Sequence, residues 1–508
     1  MRRRFGRLNC ILHYTGHLLE ILGLVLLLPV FMVLLYWHQR GDGRIMTFAF
    51  FLPAGVSLAV GFILRNVCRS DRLDTVSSMM MCAIGWLACS AIGAIPFVIG
   101  IQANYLDAYF EAMSGFTTTG ITVFTGLDAM PHSILFWRAL TQWFGGLGIL
   151  SFFLIVTFRA SSAHHIFGAE SHKISSTRPA PGLFNTLKIL WMIYSGFTLL
   201  AVLILILAKM PVFDAVCHAF TALSTGGFSP HDASIDFYRQ SGHAHYRLIE
   251  YLLTFLMMLG GINFLIHYRV LTRDFRALWD NIEIRYWWRL IAAFTALIMI
   301  DHFRKTGALA ALFDAGPPIS AAEAERTLRS SLFQVMAIIT TTGFGTQDIG
   351  SDFFGAASQQ LFLVMMVIGG CVGSTSGGFK VLRVAILNRL VLRELFKAKV
   401  SSRASTGLII DKHIVPDAEI HRVAALFFSW IALLVIGGTI TALFSNQGTL
   451  ASFSGMFSAL GNIGPCYISV PDMIAIHPVV KITYILGMLA GRLEILPVLL
   501  LFSPRAWR

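Results

Sequence analysis

Charge is scarce in this 508-residue chain: only 13% of residues are Asp, Glu, Lys or Arg, against about 25% in ordinary soluble domains. With 56% hydrophobic residues and a mean hydropathy of +0.70, that deficit excludes a soluble enzyme of this size. Cysteine is sparse too. The seven (Cys10, Cys68, Cys82, Cys89, Cys217, Cys371 and Cys466) are scattered and form no CxxC pair. That pattern argues against a disulfide framework or a zinc site. No GxxxxGKS/T segment is present to cradle a nucleotide phosphate, so ATP hydrolysis within the chain is not expected. No small-residue cleavage pattern follows the basic start Met1 to Arg7, so Leu18 to Trp37 reads as a first membrane helix and not as a signal peptide.

What the sequence has in quantity is long apolar runs. They fall at about 18–37, 45–64, 76–100, 134–158, 187–210, 248–270, 286–303, 353–396, 423–444 and 479–502, near the roughly 20 residues that cross a hydrocarbon core about 30 Å thick. The seventh carries Arg289, which must snorkel, and Asp301; the eighth is overlong and holds Gly369 to Gly378, so it reads as a broken helix. With the N-terminus in the cytoplasm, 27 of the 39 Lys and Arg lie on the cytoplasmic side, 11 lie opposite, and Arg492 lies within a span. This bias satisfies the positive-inside rule with both termini cytoplasmic. The net charge of +12 thus faces anionic membrane lipid or a soluble partner, with no nucleic acid implied, and the dense 380–412 loop is the candidate partner surface.

Between spans lie semi-apolar segments too short to cross, and they resemble one another. Leu106 to Ala112 runs into Thr117-Thr118-Thr119-Gly120; Phe213 to Ala219 runs into Ser224-Thr225-Gly226-Gly227. Phe333-Gln334-Val335 precedes Thr340-Thr341-Thr342-Gly343, and Ser458 to Gly461 precedes Asn462-Ile463-Gly464. The central glycines Gly120, Gly227, Gly343 and Gly464 are 107, 116 and 121 residues apart. After each loop comes a small-residue pair, Gly145-Gly146, Gly260-Gly261, Gly369-Gly370 and Ala490-Gly491, of the kind that lets helices approach closely. The expected fold is an all-α polytopic membrane protein: two N-terminal helices, then four pseudo-symmetric helix, re-entrant loop, helix repeats. The boundaries are 1–74 for the helix pair and 75–160, 161–271, 272–400 and 401–508 for the repeats.

Non-helical backbone at membrane depth is tolerated only where protein buries it or where it lines a watery cavity. Four glycine-centred loops therefore imply a shared aqueous axis. Rings of carbonyl and Thr hydroxyl oxygens can replace the water around a dehydrated cation, and the negative C-terminal ends of the short helices would favour it. Asp107 and Asp214 stand where they would cap two of those helices.

These loops resemble the Trk/Ktr potassium-uptake superfamily, specifically its Trk-type membrane subunit. Trp143 to Gly148, Gly369 to Lys380 and the ending Gly491-Arg492-Leu493-Glu494-Ile495 carry the same likeness, which runs from about residue 75 to the C-terminus. The resemblance implies a homodimer in the bacterial inner membrane, each subunit with its own K+ pathway. It further implies a cytosolic nucleotide-binding regulatory subunit and no cofactor beyond K+ as the transported ion. Its filter maps to Thr118, Thr119 and Gly120; Thr225, Gly226 and Gly227; Thr341, Thr342 and Gly343; and Asn462, Ile463 and Gly464. Only the third loop keeps a second glycine, Gly345, and Ile121 and Pro465 replace the aromatic of Phe228 and Phe344, so the pathway should be less symmetric and less selective than a tetrameric channel. The intramembrane gate maps to Gly370, Gly373, Ser374, Thr375, Ser376, Gly377 and Gly378. Arg492, an ionisable residue within a span, is a second barrier; its alternative is a contact with Glu494 or across the subunit interface.

Other candidates weigh less. His164, His165 and His172 with Glu170 match no metal-ligand spacing and read as a solvated loop. Asp232, Asp236, Asp348 and Asp352 could concentrate cations at an outer vestibule. The competing functions are a sodium-permeable or H+/Na+-coupled cation symporter, and a membrane-embedded enzyme using Glu111, His218 or Glu494, which fall in separate repeats.

Overall fold

The computed structural model describes residues 2–37, 43–68, 74–159, 183–308, 320–399, 407–411 and 413–507. It is almost wholly helical. In chain order, α1 (Arg2–Val25), α2 (Leu28–Leu35) and α3 (Gly43–Val67) come first. Then follow α4 (Thr75–Gly93), α5 (Ile95–Ile101), α6 (Tyr105–Phe116) and α7 (His132–Arg159). Next are α8 (Leu183–Leu207), α9 (Val212–Leu223), α10 (Asp236–Gln240), α11 (Tyr246–Gly261) and α12 (Phe264–Leu271). After them come α13 (Ile282–Lys305), α14 (Ala321–Ile339), α15 (Ala356–Ile368) and α16 (Val381–Lys397). The chain closes with α17 (Asp417–Phe444), α18 (Thr449–Gly461), α19 (Val470–Ala475), α20 (Pro478–Arg492) and α21 (Leu496–Leu501). A two-residue antiparallel ladder pairs Ile409 with Ile414 and Ile410 with His413.

Local chemistry places many helix starts. Asp74 accepts from the Ser77 amide at 2.7 Å, Asn263 from Leu265 and Asn281 from Ile284, each satisfying an amide that the first turn leaves open. Ser320 accepts from Glu323, in the Ser-x-x-Glu pattern of a capping box. Asp107 and Asp214 are not caps: Asn104 and Pro211 hold those positions. The two aspartates sit within the first turn, three residues after the cap, where Asp107 meets Lys481 at 2.5 Å and Asp214 meets His231 at 3.0 Å.

Each of the ten apolar runs is occupied by a helix or a broken helix pair. Among the described residues, five helices are long and apolar enough to cross a membrane, and a sixth span results if the bent pair α11–α12 counts as one. Their outward faces carry large apolar side chains such as Phe62, Leu199, Leu207, Phe428 and Leu443, more than half exposed, the surface hydrocarbon requires. The run at 248–270 is not one straight span as its hydropathy suggests: it turns by 105° between α11 and α12. Asn263 caps the new helix, and the Phe264 amide turns away to the Gly373 carbonyl at 3.1 Å. The run at 353–396 is interrupted as expected, between α15 and α16. His164, His165, His172 and Glu170 lie outside the described residues, as do 400–406 of the candidate partner loop.

Candidate functional site

The short helices α6, α9, α14 and α18 end in the same way. Thr118 donates its amide to Gly115 and Thr119 to Ser114; Thr225 to Ala222 and Gly226 to Thr221; Thr341 to Ile338 and Thr342 to Ala337; Asn462 to Ala459 and Ile463 to Ser458. Each is a Schellman closure, whose left-handed residue is ordinarily Gly or Asn. Here it is Thr118 (φ 52°), Thr225 (φ 54°), Thr341 (φ 57°) and Asn462 (φ 54°). A β-branched residue with positive φ is a genuine outlier, costing about 1–3 kcal/mol and tending to mark functional sites. Three threonines held there imply that their side chains are wanted where they stand.

Two residues on, Gly120, Gly227, Gly343 and Gly464 also take positive φ, from 76° to 108°, and there the loops meet. A Cβ on Gly120 would collide with the Gly226 carbonyl oxygen, one on Gly227 with that of Thr342, and one on Gly343 with that of Ile463. One on Gly464 would lie 3.1 Å from that of Thr119. The four loops thus follow one another round a closed ring. On one side all four glycines open into a cavity of about 400 Å³, which Asp232, Asp236 and Asp348 also line. Asp352 is not part of it and pairs with Lys305. All twelve residues expected in the filter are therefore brought together, and nine of them are buried.

Beneath the ring lies the segment between α15 and α16. Its ends are stitched by Phe379 N–H to Val367 O (3.0 Å) and Lys380 N–H to Ile368 O (2.7 Å). The open carbonyls at the end of α11 accept from it, Gly261 from Cys371 (3.0 Å) and Gly260 from Thr375 (3.2 Å). It also reaches the ring: Gly377 N–H donates to Thr341 Oγ1 at 2.8 Å, and Thr225 Oγ1 donates to Thr375 Oγ1 at 3.4 Å. A Cβ on Gly377 would meet the Asn462 side chain. Ser374 and Ser376 are buried here, Gly370 packs against the Ser376 side chain, and Gly369, Gly373 and Gly378 take positive φ of 73°, 72° and 78°. Glu283 accepts from the Val372 amide at 2.7 Å, and Lys380 Nζ donates to Ser376 O at 2.5 Å.

Arg492, 3% exposed, donates to Thr375 O at 2.6 Å and to Gly145 O at 3.1 Å. It does not pair with Glu494, whose carboxylate meets Arg383 at 2.6 Å. Glu111 and His218 are equally committed: Glu111 takes Arg138 (2.8 Å), Thr122 and the Val123 amide, while His218 bonds Asp214 O and Ser229 Oγ. These groups support loops and do not converge on a reaction centre. Among the described residues no cluster of three or more His, Cys, Asp or Glu suits a resident metal ion.

Sequence reasoning missed the residues behind the ring. Arg138 and Gln142, successive turns of α7, reach the second loop: Arg138 Nη1 donates to Ser229 O at 3.0 Å and its guanidinium lies 4.2 Å from the Phe228 ring centre. The available signal was the presence of an Arg and a Gln inside the fourth apolar run. At the cavity edge His231 sits between Asp128 (2.6 Å) and Asp214 (3.0 Å), stacked on Phe237. Burial disfavours its charged form, but the hydrogen bonds and charges of the two aspartates outweigh that and raise its pKa.

Comparison with known proteins gives a consistent picture. The TrkH family model, described as a cation transport protein, matches residues 49–508. The chain is 32% identical over 516 residues to a Trk system potassium uptake protein of Salmonella typhimurium, covering 98% of this chain and 99% of that protein. It is 31% identical over 500 residues to an uncharacterized cation transporter of Methanocaldococcus jannaschii, covering 97% and 95%. The crystal structure of a potassium transporter from Vibrio parahaemolyticus superposes with a TM-score of 0.83 at 27% identity, covering 99% of this chain and 100% of that one.

Proposed function

The chain belongs to the TrkH family of cation transport proteins, multi-pass membrane proteins and not enzymes, and we propose that it takes up potassium through the ring of four loops. The observation that carries the reading is the ring itself: four Schellman-closed loops with one backbone conformation, each glycine against a carbonyl of the next, opening into one cavity. Helices α6, α9, α14 and α18 end at this ring, so four partially negative helix termini favour a cation there. In the proposed mechanism K+ enters from the outer cavity and sheds water among Thr118–Gly120, Thr225–Gly227, Thr341–Gly343 and Asn462–Gly464. It then passes the 370–378 segment when that segment moves aside. Arg492, bonded to the middle of the segment, holds it shut.

The same reading takes 75–160, 161–271, 272–400 and 401–508 as four pseudo-symmetric repeats after the 1–74 helix pair. It places a homodimer in the bacterial inner membrane with both termini cytoplasmic, opened by a cytosolic nucleotide-binding regulatory subunit. Support for the orientation is the distribution of Lys and Arg; support for the regulator is that relatives are named as parts of a Trk system.

Gly343→Ser tests the filter. Measured as uptake across external K+ in a potassium-uptake-deficient strain, it should lower apparent affinity and the preference for K+ over Na+; unchanged values would sink the assignment. Reversal potentials of the reconstituted protein should follow the K+ gradient. A potential that tracks Na+ or pH instead would indicate a sodium-permeable or coupled symporter.

A further inference from the structure

Resting on the filter reading above, we infer that Gln142 is a selectivity-setting positioning residue, acting through the peptide groups of the second loop. Gln142 is fully buried; its Nε2 donates to Gly226 O at 2.6 Å and its Oε1 accepts from Phe228 N–H at 3.0 Å. One carboxamide therefore fixes the peptide groups on both sides of Gly227.

The first and third loops are braced differently. In the first, the hydroxyls of Thr117 and Thr119 bond each other at 2.7 Å; in the third, Thr340 and Thr342 do the same at 2.7 Å. The second loop has Ser224 and Gly226 at those places and cannot form the pair. Gly226 is required because a Cβ there would run into the Gln142 carboxamide. The brace that the threonine pair supplies from within the loop thus comes from α7. Three residues before the small pairs of the other units stand Met257, Met366 and Gly487, which have no group to donate, so this brace is particular to the second loop.

The consequence is electrostatic as well as steric. Gly226 O is the counterpart of Thr119 O, Thr342 O and Ile463 O, each lying against a neighbouring loop's glycine. A donor already on this carbonyl fixes its direction and takes part of its capacity to hold an ion. Without it, consecutive glycines at 226 and 227 leave the peptide free to rotate, and a cation is then bound by a less constrained carbonyl set.

The test compares wild type, Gln142→Met, Gly226→Thr, the double variant Gln142→Ala with Gly226→Thr, and Gly343→Ser. Each is purified as the full chain, reconstituted, and read as the K+/Na+ permeability ratio from reversal potentials. Gln142→Met should lower the ratio about fivefold, the size of one neutral hydrogen bond. Gly226→Thr should lower it too. The double variant should recover above Gly226→Thr, since the shorter side chain at position 142 leaves room for the introduced threonine hydroxyl to reach Ser224. A wild-type ratio in Gln142→Met alongside a reduced one in Gly343→Ser overturns the inference and spares the filter. An unchanged ratio in Gly343→Ser overturns the filter reading itself. Should Gln142→Met not fold, a double variant no better than Gly226→Thr overturns the inference.

Discussion

The Arg492 guanidinium donates to the Thr375 carbonyl oxygen at 2.6 Å, joining the end of α20 to the middle of the segment between α15 and α16. Its second donor goes to Gly145 O on α7, so one side chain spans three parts of the chain. Charge-assisted bonds of this type are worth about 1.5–3 kcal/mol.

If Arg492 holds the segment in place, Arg492→Ala should raise K+ flux in the absence of any regulator by about tenfold or more, the equivalent of one such bond. Arg492→Lys, a single point of charge without the fork that reaches two carbonyls, should fall between. Flux through reconstituted protein measures both. A resting flux in Arg492→Ala equal to wild type would mean that the contact does not restrain the segment.

The four ring glycines should not be equally sensitive. At Gly120, Gly227 and Gly343 an added Cβ would overlap a carbonyl oxygen, whereas at Gly464 the nearest atom is 3.1 Å away. Gly464→Ala should therefore retain the most uptake of the four alanine variants, with the other three close to inactive. Uptake rates in a deficient strain, corrected for the amount of protein in the membrane, give the order.

Arg138 and Glu111 form a pair with side chains 2% and 0% exposed, 2.8 Å apart. Removing one partner leaves a buried charge alone and should cost about 3–5 kcal/mol. Arg138→Met and Glu111→Met should each depress the thermal midpoint in detergent strongly, and the double variant should be less damaging than the two effects combined. Strict additivity would show that the charges do not depend on each other.

The two aspartates beside His231 set the sign of a pH dependence. Its pKa is raised in the fold, against burial, by Asp214 and Asp128, while neighbouring His218 and Tyr238 complete the group packed around it. Its stabilisation is therefore full below the ordinary histidine value of about 6.5 and is lost as pH rises through the raised value. The difference in thermal midpoint between wild type and His231→Gln should be largest near pH 6 and shrink toward alkaline pH. A difference that grows with pH would contradict the assignment.

Much of this was legible in the sequence because it is local. A run of apolar residues needs no partner to declare a membrane helix, and Thr-x-Gly after a short amphipathic stretch carries its own backbone requirement, which Thr118, Thr225 and Thr341 meet with positive φ. Gly369 to Gly378 likewise marked the broken helix through composition. Where local reading failed, a distant group had intervened. Hydropathy alone ran 248–270 straight, but the Gly373 carbonyl, more than 100 residues on, takes the Phe264 amide and turns the chain. Asp107 reads as a cap, yet Asn104 holds that position and Asp107 pairs instead with Lys481, 374 residues on.

By itself, then, the sequence determined that the chain lives in a membrane, where its helices run, and where four glycine loops break them, since each follows from residues adjacent in the chain. The sequence also implied a shared axis for these loops; only the tertiary structure decided which loop abuts which around it, that Arg492 bonds Thr375 and not Glu494, and that Gln142 braces Gly226. The last two are hydrogen bonds between residues 117 and 84 positions apart, and hydrogen bonds at such separations are fixed by how helices pack, which no local pattern encodes.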